Sequence, residues 1–114
     1  MNLTADIDTE LGRAEAARAS GNEGRARVCA RRAAGMVARD FLNRHETRLL
    51  DTVQGRKRSG SSYEVLLMLA TLPGLAPRLK QAVVYLTMPV SREFHLPPGI
   101  DLIAETHTLI KGLR

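Results

Sequence analysis

Arg92 and His95 are the two residues whose types and spacing best suggest chemistry. They lie three positions apart, between Pro89 and Pro97. An arginine can hold a phosphate, and a histidine can donate or accept a proton near neutral pH. Together they are a minimal set for metal-independent cleavage of RNA, so both are candidate catalytic residues. The alternative interpretation is that Arg92 pairs with Glu93 or with solvent, and that His95 is an ordinary loop residue.

Other catalytic or metal-binding patterns are weak in this sequence. Arg39 and His45 form a second pair, but six positions on a helix turn through about 240°, so the two side chains do not converge. The chain has three histidines, and none lies four positions from another ligand type as a helical metal site would require. It also lacks a phosphate-binding glycine loop of the G-x-x-x-x-G-K-[ST] type. We therefore expect neither a metal nor a cofactor.

The positive charge is concentrated in one part of the chain. The 114 residues carry 17 Lys and Arg against 12 Asp and Glu, for a net charge of +5. Residues 1–12 contribute −3, residues 13–58 contribute +7 (twelve bases, five acids) and residues 59–114 contribute +1. This asymmetry favours a binding surface for nucleic acid, a nucleotide or an acidic protein. The alternative is that the arginines only keep helix surfaces in water.

The candidate anion-binding residues fall into two groups. Arg25, Arg32 and Arg39 are seven positions apart, which keeps them within about 40° of one another on a helix. The second group is the basic stretch of a glycine- and serine-rich segment, Arg56, Lys57 and Arg58. The chain has no Trp, two Tyr and two Phe, so a protein that stacks bases on aromatic platforms is not expected.

Cys29 and the absence of targeting signals bear on the compartment. A single cysteine forms no internal disulfide, which favours a reducing cytoplasm. The first ten residues are acidic and lack an apolar run, and no stretch approaches the ~20 apolar residues that span a bilayer. We expect a soluble, cytoplasmic protein with no membrane partner. Arg25 and Arg32 lie one turn either side of Cys29 and could favour a thiolate, whereas the alternative is a small buried residue.

Helical periodicity runs through most of the chain. A first helix is predicted over 3–20 and ends at Gly21, and Asn22 caps a second helix that extends to about residue 49 or 50. Ser61 and Glu64 fit a capping box for a third helix, which ends at 73–74. The fourth helix runs from Pro77 to 88, and the fifth follows Asp101.

The predicted apolar faces are as follows. The first helix has Leu3, Ile7, Leu11 and Ala14; the second has Ala26, Ala30, Ala33, Val37 and Phe41; the third has Tyr63, Leu66, Leu67 and Ala70; the fourth has Leu79, Val83 and Leu86; the fifth has Leu102, Thr106, Leu109 and Leu113. No segment alternates with a period of two. We predict one all-α domain over residues 1–114, an up-and-down bundle of four to five helices.

The order of these features resembles the HEPN domain family over about residues 5–112. The resemblance rests on the alanine-rich opening AEAARASGNEGRARVCARRAAGMVARDFL, on SYEVLLMLATL, and on LKQAVVYLTMPVSREFHLPP before a final apolar helix. It implies a small helical bundle, commonly a homodimer. Some members are ribonucleases with an R-x4-6-H motif, and others bind nucleotides or act as noncatalytic modules. Arg92 is the arginine that would carry over, although only two residues separate it from His95.

Three functional hypotheses follow from the residues and the resemblance. The first is a HEPN-like binding module, homodimeric, whose arginine-rich surface takes a nucleotide, a nucleic acid or an acidic partner. The second is a metal-independent endoribonuclease that uses Arg92 and His95. The third is a purely structural oligomerisation domain.

Overall fold

Five helices form the part of the chain that the computed structural model describes, which is residues 2–45, 61–88 and 100–113. They are α1 (Leu3–Ala19), α2 (Glu23–His45), α3 (Ser62–Ala70), α4 (Pro77–Thr87) and α5 (Leu102–Leu113), and these ranges contain no strand. The predicted all-α bundle is confirmed. The long helix α2 is central, because α1, α3 and α5 all pack against it and α4 packs mainly against α3 and α5.

The connection between α1 and α2 is set by local chemistry. Gly21 has a φ of 86°, in the left-handed region that favours glycine, and it reverses the chain after α1. The side-chain oxygen of Asn22 then accepts a hydrogen bond from the backbone N–H of Arg25 at 3.1 Å, as an N-cap does. The two helices therefore form a tight hairpin, as predicted.

The caps of the shorter helices are also those predicted. Ser61 and Glu64 form a reciprocal capping box at the start of α3, and Pro77 occupies the first turn of α4. The Asp101 carboxylate accepts hydrogen bonds from the backbone N–H groups of Ile103 and Ala104 at the start of α5. Helix α3 ends at Ala70, three residues before the predicted stop at Pro73. The predicted end of α2 lies outside the described residues.

Small side chains on α2 allow the other helices to approach it closely. Seven hydrophobic residues of this helix are fully buried, namely Ala26, Cys29, Ala30, Ala33, Ala34, Val37 and Ala38. The larger buried side chains come from the surrounding helices and include Ile7, Leu66, Leu69, Leu86, Leu102 and Leu109. Phe41, predicted in the core, is half-buried and packs against its edge. In the core, large side chains of the surrounding helices therefore pack against the small side chains of α2.

The apolar face predicted for α3 is partly wrong. Val65, Leu66 and Leu69 are buried, whereas Tyr63 and Leu67 remain 47% and 42% exposed. Seven of the nine residues of α3 are apolar, so its sequence offers more than one face. The contact with α2 selects among them, and the choice leaves Tyr63 and Leu67 on the surface.

Gly35 fixes how α3 meets α2. A Cβ added at Gly35 would lie 2.5 Å from the Ser62 Oγ, 2.6 Å from its Cβ and 2.9 Å from its Cα. Those distances are shorter than van der Waals contact, so only glycine permits this approach. Ser62, the first residue of α3, therefore packs directly against α2. Tyr63 follows it in the sequence and so lies close to α2 as well.

Candidate anion-binding surface

Several predicted site residues lie outside the described part of the chain. These are the candidate catalytic pair, Arg92 and His95, and the basic segment Arg56, Lys57 and Arg58. Their roles stay predictions. Arg39 and His45 both lie within the range of α2.

The predicted arginine row on α2 divides into two kinds of residue. Arg25 and Arg32 are exposed, whereas Arg39 is half-buried and makes contacts of its own. Because α2 is one continuous helix, Arg25 and Arg32 lie roughly 10.5 Å apart along its axis and about 20° apart around it. No carboxylate among the described residues pairs with either of them.

Four arginines elsewhere on the described surface are ion-paired within the chain. Four ion pairs illustrate this: Arg13 with Glu10 at 2.7 Å, Arg18 with Glu23 at 2.8 Å, Arg44 with Asp40 at 2.9 Å and Arg78 with Glu105 at 3.0 Å. Arg18 also reaches Asp101 at 3.0 Å. The Glu23 and Asp101 carboxylates raise the pKa of Arg18, and the gain outweighs the opposing effect of burial. Arg25 and Arg32 differ from these arginines because no carboxylate of the described residues pairs with them.

Arg31 is a third arginine on α2 without a carboxylate partner among the described residues. It is half-buried, and its Nε donates a hydrogen bond of 2.7 Å to the backbone oxygen of Leu86, near the end of α4. Partial burial and the nearby Arg27 lower the pKa of Arg31, and Tyr63 opposes that change weakly. A partly desolvated cation with a carbonyl but no anion beside it is incompletely compensated.

An exposed valine lies among these arginines. Val28 is 43% exposed, and on α2 it is one turn from Arg25 (i−3), Arg31 (i+3) and Arg32 (i+4). Tyr63 is 47% exposed and directly follows Ser62, which packs on α2 at Gly35, one turn from Arg31 and Arg32. We call these five residues, Arg25, Val28, Arg31, Arg32 and Tyr63, the arginine–valine patch.

Sequence reasoning found Arg25 and Arg32 of this patch but not Arg31, Val28 or Tyr63. Val28 lies between Arg31 and Arg32 on the helical wheel, but it is also within about 40° of Gly35 and Leu42, which are both buried, so periodicity alone does not predict its exposure. The exposure of Tyr63 depends on how α3 packs at Gly35, and the sequence carries no signal for it either.

Chemistry outside the patch is sparse in the described ranges. Cys29 is fully buried, which supports a small core residue over a reactive thiol. No group of three His, Cys, Asp or Glu residues capable of holding a metal ion occurs among residues 2–45, 61–88 and 100–113. Glu10 is 6% exposed, and only its Oε1 is hydrogen-bonded, to Arg13. The described residues therefore present a binding surface more clearly than a reaction centre.

Two further findings complete the description. No helix within the described ranges is both long and apolar enough to cross a bilayer. Comparison with protein-family models, with curated protein sequences and with solved structures gives no match to this chain. The resemblance to the HEPN family accordingly stays a prediction, and the geometry of the patch carries the functional argument.

Proposed function

We propose that this protein is a small helical binding module that takes an anionic partner on the arginine–valine patch. One observation carries the proposal. Arg25, Arg31 and Arg32 meet no carboxylate among the described residues, whereas Arg13, Arg18, Arg44 and Arg78 are each paired within the chain. No carboxylate in the described ranges therefore cancels the positive potential of this surface, which can attract an acidic molecule.

The electrostatics favour a partner with more than one negative group. Arg31 and Arg32 are adjacent in the chain, and Arg25 lies two turns before Arg32 on the same side of α2. Like charges held this close repel one another, and a bound anion relieves that repulsion. Because Arg25 and Arg32 are exposed, their attraction for the anion is screened by salt, and binding should weaken as ionic strength rises.

The resemblance to the HEPN family adds an expectation about assembly. A HEPN-like homodimer would present two such patches, and a partner with several acidic groups could engage both. Two linked contacts bind more tightly than either alone when the geometry lets both form together. Homodimerisation is part of the proposal and is measured directly by light scattering.

The test compares two double variants of equal net charge. Arg25→Gln/Arg32→Gln removes two charges from the patch, and Lys80→Gln/Lys111→Gln removes two from exposed positions on α4 and α5. Binding of labelled RNA, labelled DNA and labelled polyglutamate is followed by fluorescence anisotropy across a salt series. We expect the arginine variant to lose about 2- to 30-fold in affinity for the probe that binds, as two exposed ion pairs would contribute.

The control variant should bind as the parent does, apart from the small uniform effect of net charge. Equal losses in both double variants would show that charge attracts the probes without regard to the patch. Failure of all three probes to bind the parent at low salt would refute the proposal.

A further inference from the structure

The arginine–valine patch combines charge with exposed apolar surface, and this combination narrows the partner class. We infer that the patch binds an acidic amphipathic helix of another protein, with an apolar side chain over Val28 and carboxylates on the surrounding arginines. This inference rests on the proposed anionic partner and adds its chemical class.

The apolar members of the patch are the first argument. Val28, at the centre of the patch, is 43% exposed, and Tyr63 is 47% exposed; Leu67, outside the patch but one turn after Tyr63 on α3, is 42% exposed. Protein interfaces bury apolar side chains at their centres and are enriched in tyrosine and arginine. A nucleic-acid backbone would use the arginines but would gain little from covering Val28.

Scarcity of aromatic residues argues in the same direction. Single-stranded nucleic acids are usually held by several aromatic rings on which successive bases stack. The chain has four Tyr and Phe residues in total, and of these Tyr63 belongs to the patch. Phe41 and Tyr85 are half-buried against the core. The patch therefore lacks a stacking platform and resembles a site for a protein side chain.

The positions of the arginines define the complementary helix. Arg25, Arg31 and Arg32 surround Val28 at one-turn separations. A partner helix with a leucine, and with carboxylates one turn before and after it, presents the matching arrangement. Two carboxylates seven positions apart on that helix are separated by roughly 10.5 Å, the same axial spacing that separates Arg25 from Arg32.

Arg31 is suited to anchor such a helix. Its Nε donates a hydrogen bond of 2.7 Å to the backbone oxygen of Leu86, and this bond restricts the conformations of the guanidinium in the unbound protein. The described residues offer no hydrogen-bond acceptor to its two terminal nitrogens, and these can take a carboxylate with both of its oxygens. A side chain that is already positioned loses less conformational freedom on binding.

The experiment uses two synthetic peptides of identical composition. In the first, leucines form one face of a helix and glutamates flank them; in the second, the order is changed so that leucines and glutamates lie on opposite faces. Each is labelled and titrated with the full chain, and labelled RNA is titrated in parallel. We expect the first peptide to bind at least about tenfold more tightly than the second and than RNA.

Matched valine variants locate the contact. Val28→Ser changes the centre of the patch, and Val84→Ser changes a valine of α4 that is 53% exposed and outside the patch. We expect Val28→Ser to weaken binding of the first peptide by about 5- to 30-fold, in the range of an interface centre, and Val84→Ser to leave it unchanged. Circular dichroism melts verify that both variants fold like the parent.

The remaining outcomes separate this inference from the proposed function. RNA binding without peptide binding, or equal binding of both peptides with no effect of Val28→Ser, overturns the protein-helix inference while the anion-binding proposal stands. No binding by any probe refutes both. A homodimer that Val28→Ser dissociates would show a second copy of the chain on the patch, and that result also overturns the inference.

Discussion

Replacing Gly35 by alanine tests the packing of α3 on α2, which places Tyr63 at the patch. Two effects oppose each other. Alanine is favoured over glycine inside a helix by about 0.8–1 kcal/mol. Its Cβ, however, would lie 2.6 Å from the Ser62 Cβ and 2.9 Å from the Ser62 Cα. The second atom is backbone, so a change of rotamer cannot relieve the contact and α3 must shift.

Overpacking of this kind costs about 1–3 kcal/mol, and distances this short place Gly35→Ala in the upper part of that range. After the gain in helix propensity, we expect a net loss of about 1–2 kcal/mol in the free energy of unfolding. For a domain of this size the melting temperature should fall by about 4–8 °C.

Gly12 supplies the matched control. It is exposed within α1, and a Cβ added there would meet nothing within 4 Å. Gly12→Ala should therefore show the propensity gain alone and raise stability by about 0.5–1 kcal/mol. Urea denaturation followed by circular dichroism measures both variants against the parent.

A second-site change tests whether the cost arises at Ser62. Ser62→Gly removes two of the three atoms that the new Cβ would meet, while Ser61 keeps the helix cap. In the double variant with Gly35→Ala, part of the lost stability should return, as a favourable coupling in a double-mutant cycle. If Gly35→Ala is as stabilising as Gly12→Ala, or if the two sites show no coupling, the close-contact argument is refuted.

Three further predictions concern the core, an ion pair and a cap. Cys29 is fully buried, so iodoacetamide should not label it in the native protein but should do so rapidly in urea; rapid native labelling would contradict the packing of α2. Partial burial would raise the pKa of Asp101, but hydrogen bonds from the Ala104 N–H and from Arg18 outweigh it and hold the pKa below its usual value. The stability from this carboxylate is therefore present above its unfolded pKa of about 3.9 and is lost as pH falls through the folded pKa. Asp101→Asn keeps an oxygen for the cap but has no carboxylate to protonate. Between neutral pH and about pH 3 this variant should therefore lose less stability than the parent, as measured by urea denaturation midpoints. Equal losses in the two proteins would contradict this prediction. Ser61→Ala removes the 3.2 Å hydrogen bond from the Glu64 N–H and should cost about 1 kcal/mol, whereas Ser61→Asp should retain most of it, as thermal melts would show.

Local signals in the sequence were sufficient for the helices and their caps. Gly21, Asn22, Ser61, Pro77 and Asp101 act on backbone groups within four positions of themselves, so their roles can be inferred without tertiary information. The periodic small residues of α2 likewise predicted its buried side, because the helical period alone decides which positions share a face.

The candidate surface was predicted only in part, because local signals do not report contacts between residues that are distant in the sequence. Periodicity placed Arg25 and Arg32 on one side of α2, and both are exposed. It could not show that Arg39 is half-buried or that Arg31 binds the Leu86 oxygen 55 positions away. Which arginines are neutralised depends on the acids that folding brings near them, as Asp101 and Glu105 are brought to Arg18 and Arg78.

The amino-acid sequence by itself determined that this protein is a helical bundle whose second helix is rich in alanine, with its positive charge concentrated in residues 13–58. Those properties depend on local period and composition. The tertiary structure alone decided that Tyr63 and Leu67 stay on the surface. Helix α3 has apolar residues on more than one face, and its close approach to α2 at Gly35 determines which face is buried. It also decided that Arg25, Arg31 and Arg32 face no acid of the described chain, because ion pairing depends on distances through space.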